Sequence, residues 1–382
     1  MIRIRQINIK IEEKKIEEKL KTKSAKKLNI NKEEIEQIQI VKKSIDARKK
    51  NEIEYCYEVD IKLKDNLLEE KILKNSNIEN TSNKNSKKTS KSKREMISKN
   101  NLRDIIKTPN ENYEFKITGT EKINNRPIIV GSGPAGLFCA YMLAKNGYNP
   151  LIIERGEEIE KRAKTVEEFW EKGILNPESN VQFGEGGAGT FSDGKLNTLV
   201  KDKNNRNKKV LEIFYNMGAP EEILYLNKPH IGTDLLKEVI KNLRNEIIKM
   251  GGEIRYNSCL TGLNIENNKI KNIEINNSET IKTDILVLAI GHSARDTFKI
   301  LNKNNLNMEP KPFAVGVRVQ HNQEMINESQ YGKYGKILPP APYKLTYHSK
   351  NGRGVYSFCM CPRRICSKCI FTKRKTCNKR NE

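Results

Sequence analysis

The stretch PIIVGSGPAGLFCAYMLAKNGYNPLIIE, residues 127–154, decides the fold. An apolar, β-branched run ends in a glycine-rich turn, a helical segment follows, and a second apolar run ends in Glu154. A lone G-x-G-x-x-G is weak evidence, but a strand before it, a helix after it and an acid closing the next strand make it specific. The stretch therefore predicts an α/β domain with a Rossmann-like βαβ unit.

Each marked position of this unit has a physical reason. Gly131 allows the sharp turn out of the strand, Gly133 leaves room for a pyrophosphate beside the backbone, and Gly136 lets the helix pack closely on the sheet. The free N–H groups of the helix N-terminus favour an anion, and Gly147 is placed to end the helix. Glu154 is positioned to accept hydrogen bonds from an adenosine ribose, and its charge disfavours a 2′-phosphate. FAD and NAD share this pattern, so the turn alone does not choose between them.

A second glycine-rich segment, NVQFGEGGAGTFSDGKLN, covers residues 180–197. Its glycines allow the backbone to lie flat against a ligand. Gly194 and Lys195 are followed by Leu196, whereas a P-loop requires Ser or Thr there, which argues against an ATPase. A later strand, DILVLAIGHSARD, leaves the sheet through Gly291 and predicts a further βα-type exit.

These motifs together carry a family resemblance. GSGPAG with Glu-Arg-Gly, NVQFGEGGAGTFSDGKLNT, HIGTDLL, VLAIGHSARDTF and KPFAVGVRVQH resemble, in this order, the bacterial NAD(P)/FAD-dependent oxidoreductases, a family of uncharacterised FAD-dependent dehydrogenases. The resemblance covers residues 123–362, and KKSIDARKK near the N-terminus is similar as well. It implies a two-dinucleotide-binding-domain flavoprotein with FAD, a small-molecule substrate, and NAD(P)H as a candidate electron donor. The FAD-binding residues expected are Gly131, Ser132, Gly133, Pro134, Ala135, Gly136, Glu154, Arg155, Gly186, Gly187, Gly189, Thr190 and Gly291.

The N-terminal part reads as a separate small domain. Alternating apolar residues predict a strand over residues 53–63, and a slip in the alternation near Arg5 and Gln6 predicts a β-bulge. The predicted order of strands and helix is that of a ferredoxin-like α+β unit. The predicted organisation is a ferredoxin-like domain at 1–65, a basic low-complexity linker at 66–122, an FAD-binding domain at 123–309, a β-rich substrate-domain fragment at 310–362 and a tail at 363–382.

The formal net charge of +23 raises the question of nucleic acid. No aromatic-basic recognition motif accompanies the charge, so we do not expect nucleic-acid binding. The longest apolar run, Ile285 to Ile290, is too short for a bilayer, and the start of the chain does not resemble an export signal, so a cytoplasmic protein is expected. The alternative that stays open is a non-catalytic nucleotide- or nucleic-acid-binding protein.

The tail, CPRRICSKCIFTKRKTCNKRNE, raises three readings. Its cysteines, with Cys359, could bind zinc, although their spacing is not that of paired C-x2-C knuckles. Cys361 and Cys366 have the C-x4-C spacing of redox disulfides, but far downstream of the usual place. Our preferred hypothesis is a one-nucleotide frameshift after Pro362, because RRICSKCIFT read in a shifted frame becomes Gly-Gly-Tyr-Val-Val-Asn-Ala-Ser-Ser, a family-like continuation. We therefore expect no metal site, and sequencing the gene tests the frameshift.

The side chains suited to proton or thiol chemistry are few. They are His230, His292, His321, Cys359 and Cys361. None has a partner at catalytic spacing in the sequence, so each is more simply explained as structural. Catalytic residues and the oligomeric state stay open at this point.

Overall fold

The computed structural model describes residues 1–82, 103–191, 194–196, 198, 200–357, 360, 369–372 and 375–377.

The N-terminal unit combines an antiparallel sheet with two helices. The elements of this unit are β1 (Ile2–Lys10), α1 (Ile16–Leu28), β2 (Ile35–Asp46), β3 (Glu54–Leu63), α2 (Asn66–Ser82) and β4 (Ile105–Lys107). The sheet order is β2-β3-β1-β4, and all neighbouring pairs are antiparallel. This order is ferredoxin-like, so that prediction is confirmed.

A β-bulge explains the slip in the alternation of the first strand. Gln6 adopts a left-handed φ of 56°, and the register of β1 against β3 shifts between Ile4 and Ile7. The extra residue lets the apolar residues on both sides of the bulge face the same core. Ile2, Ile4, Ile7 and Ile9 are accordingly all buried.

The structure continues this unit past residue 65, where the sequence places its end. α2 follows β3 directly, and β4 pairs with β1 so that Ile4 lies opposite Ile105. Ile105 is buried in the same core as the inward face of β3. The region expected to be a linker therefore contributes a helix and an edge strand to the domain, while residues 83–102 lie outside the described part of the chain.

The second unit is built on a parallel sheet. Its elements are β5 (Ile128–Val130), α3 (Pro134–Lys145), β6 (Leu151–Ile153), α4 (Ile159–Lys172), α5 (Arg206–Asn216), α6 (Thr233–Lys249), β7 (Glu253–Arg255), β8 (Leu260–Glu266), β9 (Lys269–Ile275), β10 (Glu279–Lys282), β11 (Leu286–Leu288) and α7 (Arg295–Lys303). The strand order β11-β5-β6-β7 is parallel throughout, whereas β8, β9 and β10 form a separate antiparallel sheet. The predicted Rossmann-like architecture is confirmed.

The parallel sheet is buried on both faces, as expected for this fold. Ile129 and Ile152 point into one core with α3 and α6, while Ile128 and Leu151 point into a second core with the antiparallel sheet. Alternate residues of each strand thus serve different cores, which accounts for the continuous apolar runs of the sequence. Loops at the carboxyl ends of β5, β6 and β11 then meet at one edge.

The C-terminal region contains α8 (Gln323–Tyr331), β12 (Thr346–His348), β13 (Gly354–Tyr356), β14 (Cys369–Thr372) and β15 (Lys375–Cys377). Residues 309–320 form no regular element and are exposed. The frameshift hypothesis and the C-x4-C pair fall on residues 361–368, which lie outside the described residues. Across the described part of the chain, no helix combines the length and the apolar character needed to cross a membrane.

Candidate cofactor-binding site

The turn between β5 and α3 is as tight as the sequence predicts. Gly131 has a φ of 101°, and a Cβ there would lie 2.6 Å from the main-chain oxygen of Ala289. A Cβ on Gly136 would lie 1.9 Å from the oxygen of Gly131. Both positions therefore require glycine for the protein's own packing. Gly147 has a φ of 80° and follows Asn146, the C-cap of α3, so it stands where the sequence predicts the helix to end.

Gly133 differs from these two glycines. It is the N-cap of α3, with φ −70° and ψ −177°, which any residue can adopt. A Cβ there would meet only the Cα of Gly187, at an ordinary contact distance of 3.8 Å. The fold itself does not require glycine at this position, so the missing side chain leaves room for something else. The first N–H groups of α3 lie beside it, without partners inside the helix.

A cleft of about 620 Å³ opens at this turn. It lies at the carboxyl ends of β5, β6 and β11, where open α/β sheets bind ligands. Its volume is that of a small-molecule site. Of the residues predicted to bind FAD, those that line it are Gly131, Gly133, Pro134, Ala135, Glu154, Arg155, Gly187 and Gly291. Those that lie outside its lining are Ser132, Gly136, Gly186, Gly189 and Thr190.

Glu154 is buried at the edge of the cleft, and its carboxylate is already hydrogen-bonded. Oε2 accepts from the main-chain N–H of Ser132 at 2.8 Å and from its hydroxyl at 2.9 Å. Oε1 accepts from the N–H of Gly156 at 2.9 Å and of Gly184 at 3.0 Å. The carboxylate therefore ties the β5 turn, the end of β6 and the second glycine-rich segment together, a role that the sequence did not indicate.

The second glycine-rich segment forms one wall of the cleft. Gly187, with a φ of 67°, packs so closely on the β5 turn that a Cβ would lie 3.1 Å from the Cα of Gly133. Behind it, a Cβ on Gly186 would lie 2.1 Å from the hydroxyl of Thr190. The segment thus lies against the turn between β5 and α3, with Gly187 lining the cleft and Thr190 buried behind it.

Arg155 lines the same cleft beside two carboxylates. Its Nη1 donates to Asp296 at 3.0 Å, and its Nε lies 3.1 Å from Glu178. Its Nη2 lies 3.0 Å from the Sγ of Cys259, and the guanidinium lies 4.6 Å from the ring centre of Phe183. The positive charge of Arg155 is therefore engaged by two carboxylates rather than offered to an anion.

Arg162 is a residue of the site that the sequence analysis missed. It is fully buried, and its guanidinium donates to the main-chain oxygens of residues 180, 181, 184 and 185. Burial lowers its pKa to about 10. Ile159, Arg162, Val166 and Phe169 share the buried face of α4. A charge within that apolar stripe was the signal that could have identified it.

A second buried cluster supports the same segment from behind. Glu185 is fully buried, and Oε2 accepts from Arg244 Nη1 at 2.8 Å and from the N–H of Ile159 at 2.7 Å. Burial raises the pKa of Glu185. Arg244 also donates to Glu160, at 2.6 and 3.0 Å. These contacts join α4, α6 and the glycine-rich segment into one rigid support.

The three histidines suggested for proton chemistry each contact a different partner. His292 lines the cleft, with Nε2 3.3 Å from the Ser293 hydroxyl. His321 Nε2 lies 2.8 Å from the Tyr343 hydroxyl, and His230 forms a main-chain bridge with Lys195. Cys359, Cys361 and Cys366 lie outside the described residues. Within the described residues, no group of three or more His, Cys, Asp or Glu side chains could hold a metal ion.

Comparisons with known proteins agree with this architecture. Residues 129–193 match an NAD(P)-binding Rossmann-like domain, residues 312–375 match an FAD-dependent protein C-terminal domain, and residues 1–62 match a domain of unknown function. The C-terminal match runs past Pro362, the point at which the frameshift hypothesis ends the family sequence.

An uncharacterised protein of Clostridium beijerinckii is 46% identical over 364 residues. The match covers 94% of this chain and 62% of that relative, so the chain spans less than two thirds of the relative's length.

Solved structures with some likeness include THI4 of Thermovibrio ammonificans and glycine oxidase of Bacillus cereus. The first is 18% identical with a TM-score of 0.32 over 48% of this chain and 64% of its own. The second is 15% identical with a TM-score of 0.33 over 48% of this chain and 59% of its own. These scores are low, so the assignment rests on the sequence matches and on the cleft. The matches to an NAD(P)-binding Rossmann-like domain and to an FAD-dependent protein C-terminal domain support a relationship of this chain to FAD/NAD(P)-dependent oxidoreductases.

Proposed function

We propose that this chain is an FAD-dependent oxidoreductase, a dehydrogenase that moves electrons to or from a small-molecule substrate. The observation that carries the proposal is the cleft at the β5 turn, where Gly133 has no side chain although the fold would accept one. A pyrophosphate needs that space and the adjoining N–H groups of α3. Bound FAD would supply the redox chemistry, and the chain's own residues would hold and orient it.

The pyrophosphate would lie against Gly133, Ala135 and the opposite wall at Gly187. The adenosine ribose would lie beside Glu154. The two carboxylate oxygens of Glu154 each accept two hydrogen bonds already, which is close to the capacity of a carboxylate. Among these donors only the Ser132 hydroxyl can rotate away without moving the backbone. A ribose hydroxyl would therefore take the place of the Ser132 hydroxyl on Oε2.

The charges around this end of the cleft also favour FAD over NADP. Glu154, Glu178 and Asp296 contribute three carboxylates, and the charge of Arg155 is engaged by two of them. A 2′-phosphate would meet net negative charge there, whereas the adenosine of FAD carries no such group. NAD(P)H remains the proposed electron donor and would act from outside this adenosine site.

Reconstitution of the full chain with FAD, followed by anaerobic addition of NADH or NADPH, tests the proposal. We expect one FAD per chain and loss of the visible flavin absorbance faster than for free FAD at the same concentration. Failure to bind FAD would refute the proposed function. Binding of FAD with no acceleration of its reduction by either nucleotide or by candidate substrates would favour the non-catalytic nucleotide-binding alternative.

A further inference from the structure

The ferredoxin-like unit makes a main-chain contact with the nucleotide-binding unit. β2 is an edge strand, and its free edge is met by residues 225–227. The N–H of Lys43 donates to the oxygen of Tyr225 at 2.7 Å, and the N–H of Asn227 donates to the oxygen of Lys43 at 2.9 Å. Lys43 and Leu226 thus form a parallel bridge between the two units. Edge strands offer unpaired groups for this kind of pairing.

The same segment continues to the second glycine-rich region. The N–H of Leu196 donates to the oxygen of Pro229 at 3.0 Å, and the N–H of Ile231 donates to the oxygen of Gly194 at 2.9 Å. Residues 225–231, the bridging segment, therefore join β2 at one end to residues 194–196 at the other.

The contact at the far end of the bridging segment is close and specific. Gly194 has a φ of 72°, and a Cβ there would lie 1.6 Å from the oxygen of Ile231. Ile231 is itself buried in the core between the parallel sheet and α6. A displacement of the bridging segment would therefore be transmitted to Gly194, because the two main chains have no space between them.

The side chain of Lys43 packs on the ferredoxin-like sheet beside the contact. The Lys43 ammonium lies 4.3 Å from the ring centre of Tyr55 and 5.9 Å from that of Tyr57. Burial lowers the pKa of Lys43, and Glu222, next to the bridging segment, acts in the opposite direction. The side chain therefore sits between the ferredoxin-like sheet and the start of the bridging segment.

We propose that the ferredoxin-like unit positions residues 194–196 through the bridging segment, and so supports the second glycine-rich segment, residues 180–197, of which Gly187 lines the cleft. Its effect on the cofactor rests on the proposed function, whereas the mechanical coupling does not. This gives the N-terminal domain, which matches a domain of unknown function, a role as a positioning element.

The full chain carrying Lys43→Pro tests the coupling. Proline removes the N–H that bonds Tyr225 and leaves the β3 side of the strand unchanged, because that N–H points away from the sheet. Lys43→Ala is the matched control, since it removes the ammonium but keeps the main-chain bond. Asn227→Pro, with Asn227→Ala as its control, breaks the partner bond in an exposed loop in case the first variant folds poorly.

Peptide-level hydrogen exchange of residues 194–196 and 229–231 is the first readout. Loss of one hydrogen bond predicts exchange about 2- to 10-fold faster in both proline variants, with peptides of β5 and β6 unchanged and both alanine variants like the wild type. Unchanged exchange in both proline variants would overturn the coupling.

FAD affinity is the second readout. We expect the dissociation constant to rise about 2- to 10-fold in the proline variants alone. Equal FAD affinity in all variants, with wild-type FAD binding intact, would overturn the effect on the cofactor. A wild-type chain that binds no FAD would instead refute the proposed function, while the exchange measurement would still decide the coupling.

Discussion

The two folded units each bury an arginine, and they use it in opposite ways. In the ferredoxin-like unit, Arg3 forms a two-pronged pair with Asp60, at 2.8 and 2.9 Å, and also contacts Glu111. In the nucleotide-binding unit, the described acceptors of Arg162 are main-chain oxygens, and Glu154, whose charge attracts it, is hydrogen-bonded to N–H groups and a hydroxyl. The hydrogen bonds that Arg3 donates to Asp60 raise the pKa of Arg3, whereas burial lowers that of Arg162.

The difference separates packing from site construction. Arg3 and Asp60 lie opposite each other on the paired strands β1 and β3, so their ion pair contributes to the packing of the antiparallel sheet. Arg162 and Glu154 instead bind the same backbone segment from its two kinds of polar group. Arg162 donates to carbonyl oxygens around Gly184, and Glu154 accepts from the N–H of Gly184. A glycine-rich segment has little side-chain packing of its own, so these two charges hold it in the position that forms the cleft wall.

The largest expected effect compares two glycines with the same local role. Gly133 and Gly232 both precede a helix as N-cap residues with extended backbone angles, and neither is crowded. Gly133→Ala should raise the dissociation constant for FAD about 10- to 100-fold, because the new methyl group occupies space needed by the pyrophosphate. Gly232→Ala should leave it unchanged. Fluorescence titration measures the dissociation constant for FAD in both variants. An equal rise in Gly133→Ala and Gly232→Ala would contradict the placement of the pyrophosphate at Gly133.

A second prediction compares the two arginines directly. Arg162→Lys and Arg3→Lys each keep the charge but lose most of the guanidinium donors, so each should lower the free energy of unfolding by about 2–3 kcal/mol. Only Arg162→Lys should also weaken FAD binding, by about 10-fold, because it loosens residues 180–185. Denaturant unfolding and FAD titration on both variants separate the two effects. Weaker FAD binding in Arg3→Lys as well would show that general stability is responsible.

The smallest expected effect compares two half-buried thiols. Burial raises the pKa of both Cys56 and Cys259, so both should react slowly with iodoacetamide at neutral pH and faster as the pH rises. Cys259 lines the cleft, whereas Cys56 lies on β3 of the ferredoxin-like unit. Saturating FAD should slow alkylation of Cys259 several-fold and leave Cys56 unaffected. Mass spectrometry of the labelled peptides measures each rate, and equal rates with and without FAD would place the adenosine elsewhere.

The sequence predicted those features that local chemistry determines. Gly131 needs a positive φ, Gly147 ends a helix, and the break in the alternation at Gln6 marks a bulge. Each of these three features can be recognised from a few neighbouring residues. The apolar runs of β5 and β6 predicted the two strands of the βαβ unit for the same reason.

Features that depend on distant residues were not predictable in this way. β4 has only three residues and follows a polar, low-complexity stretch, so nothing local indicates that Ile105 pairs with Ile4. The four donors to Glu154 come from three separate segments, and the acceptors of Arg162 from a loop about twenty residues later in the chain. Residues 309–320 show the converse, since an alternating apolar pattern is present but forms no strand among the described residues.

Competition for bound FAD tests the central claim most directly, because FAD shares its adenosine diphosphate half with ADP and its flavin half with FMN. If the β5 turn binds the pyrophosphate and Glu154 binds the ribose, ADP should displace FAD from the wild-type chain in a simple competitive titration, and FMN should not. Displacement by FMN and not by ADP would contradict the account, as would a chain that binds no FAD at all.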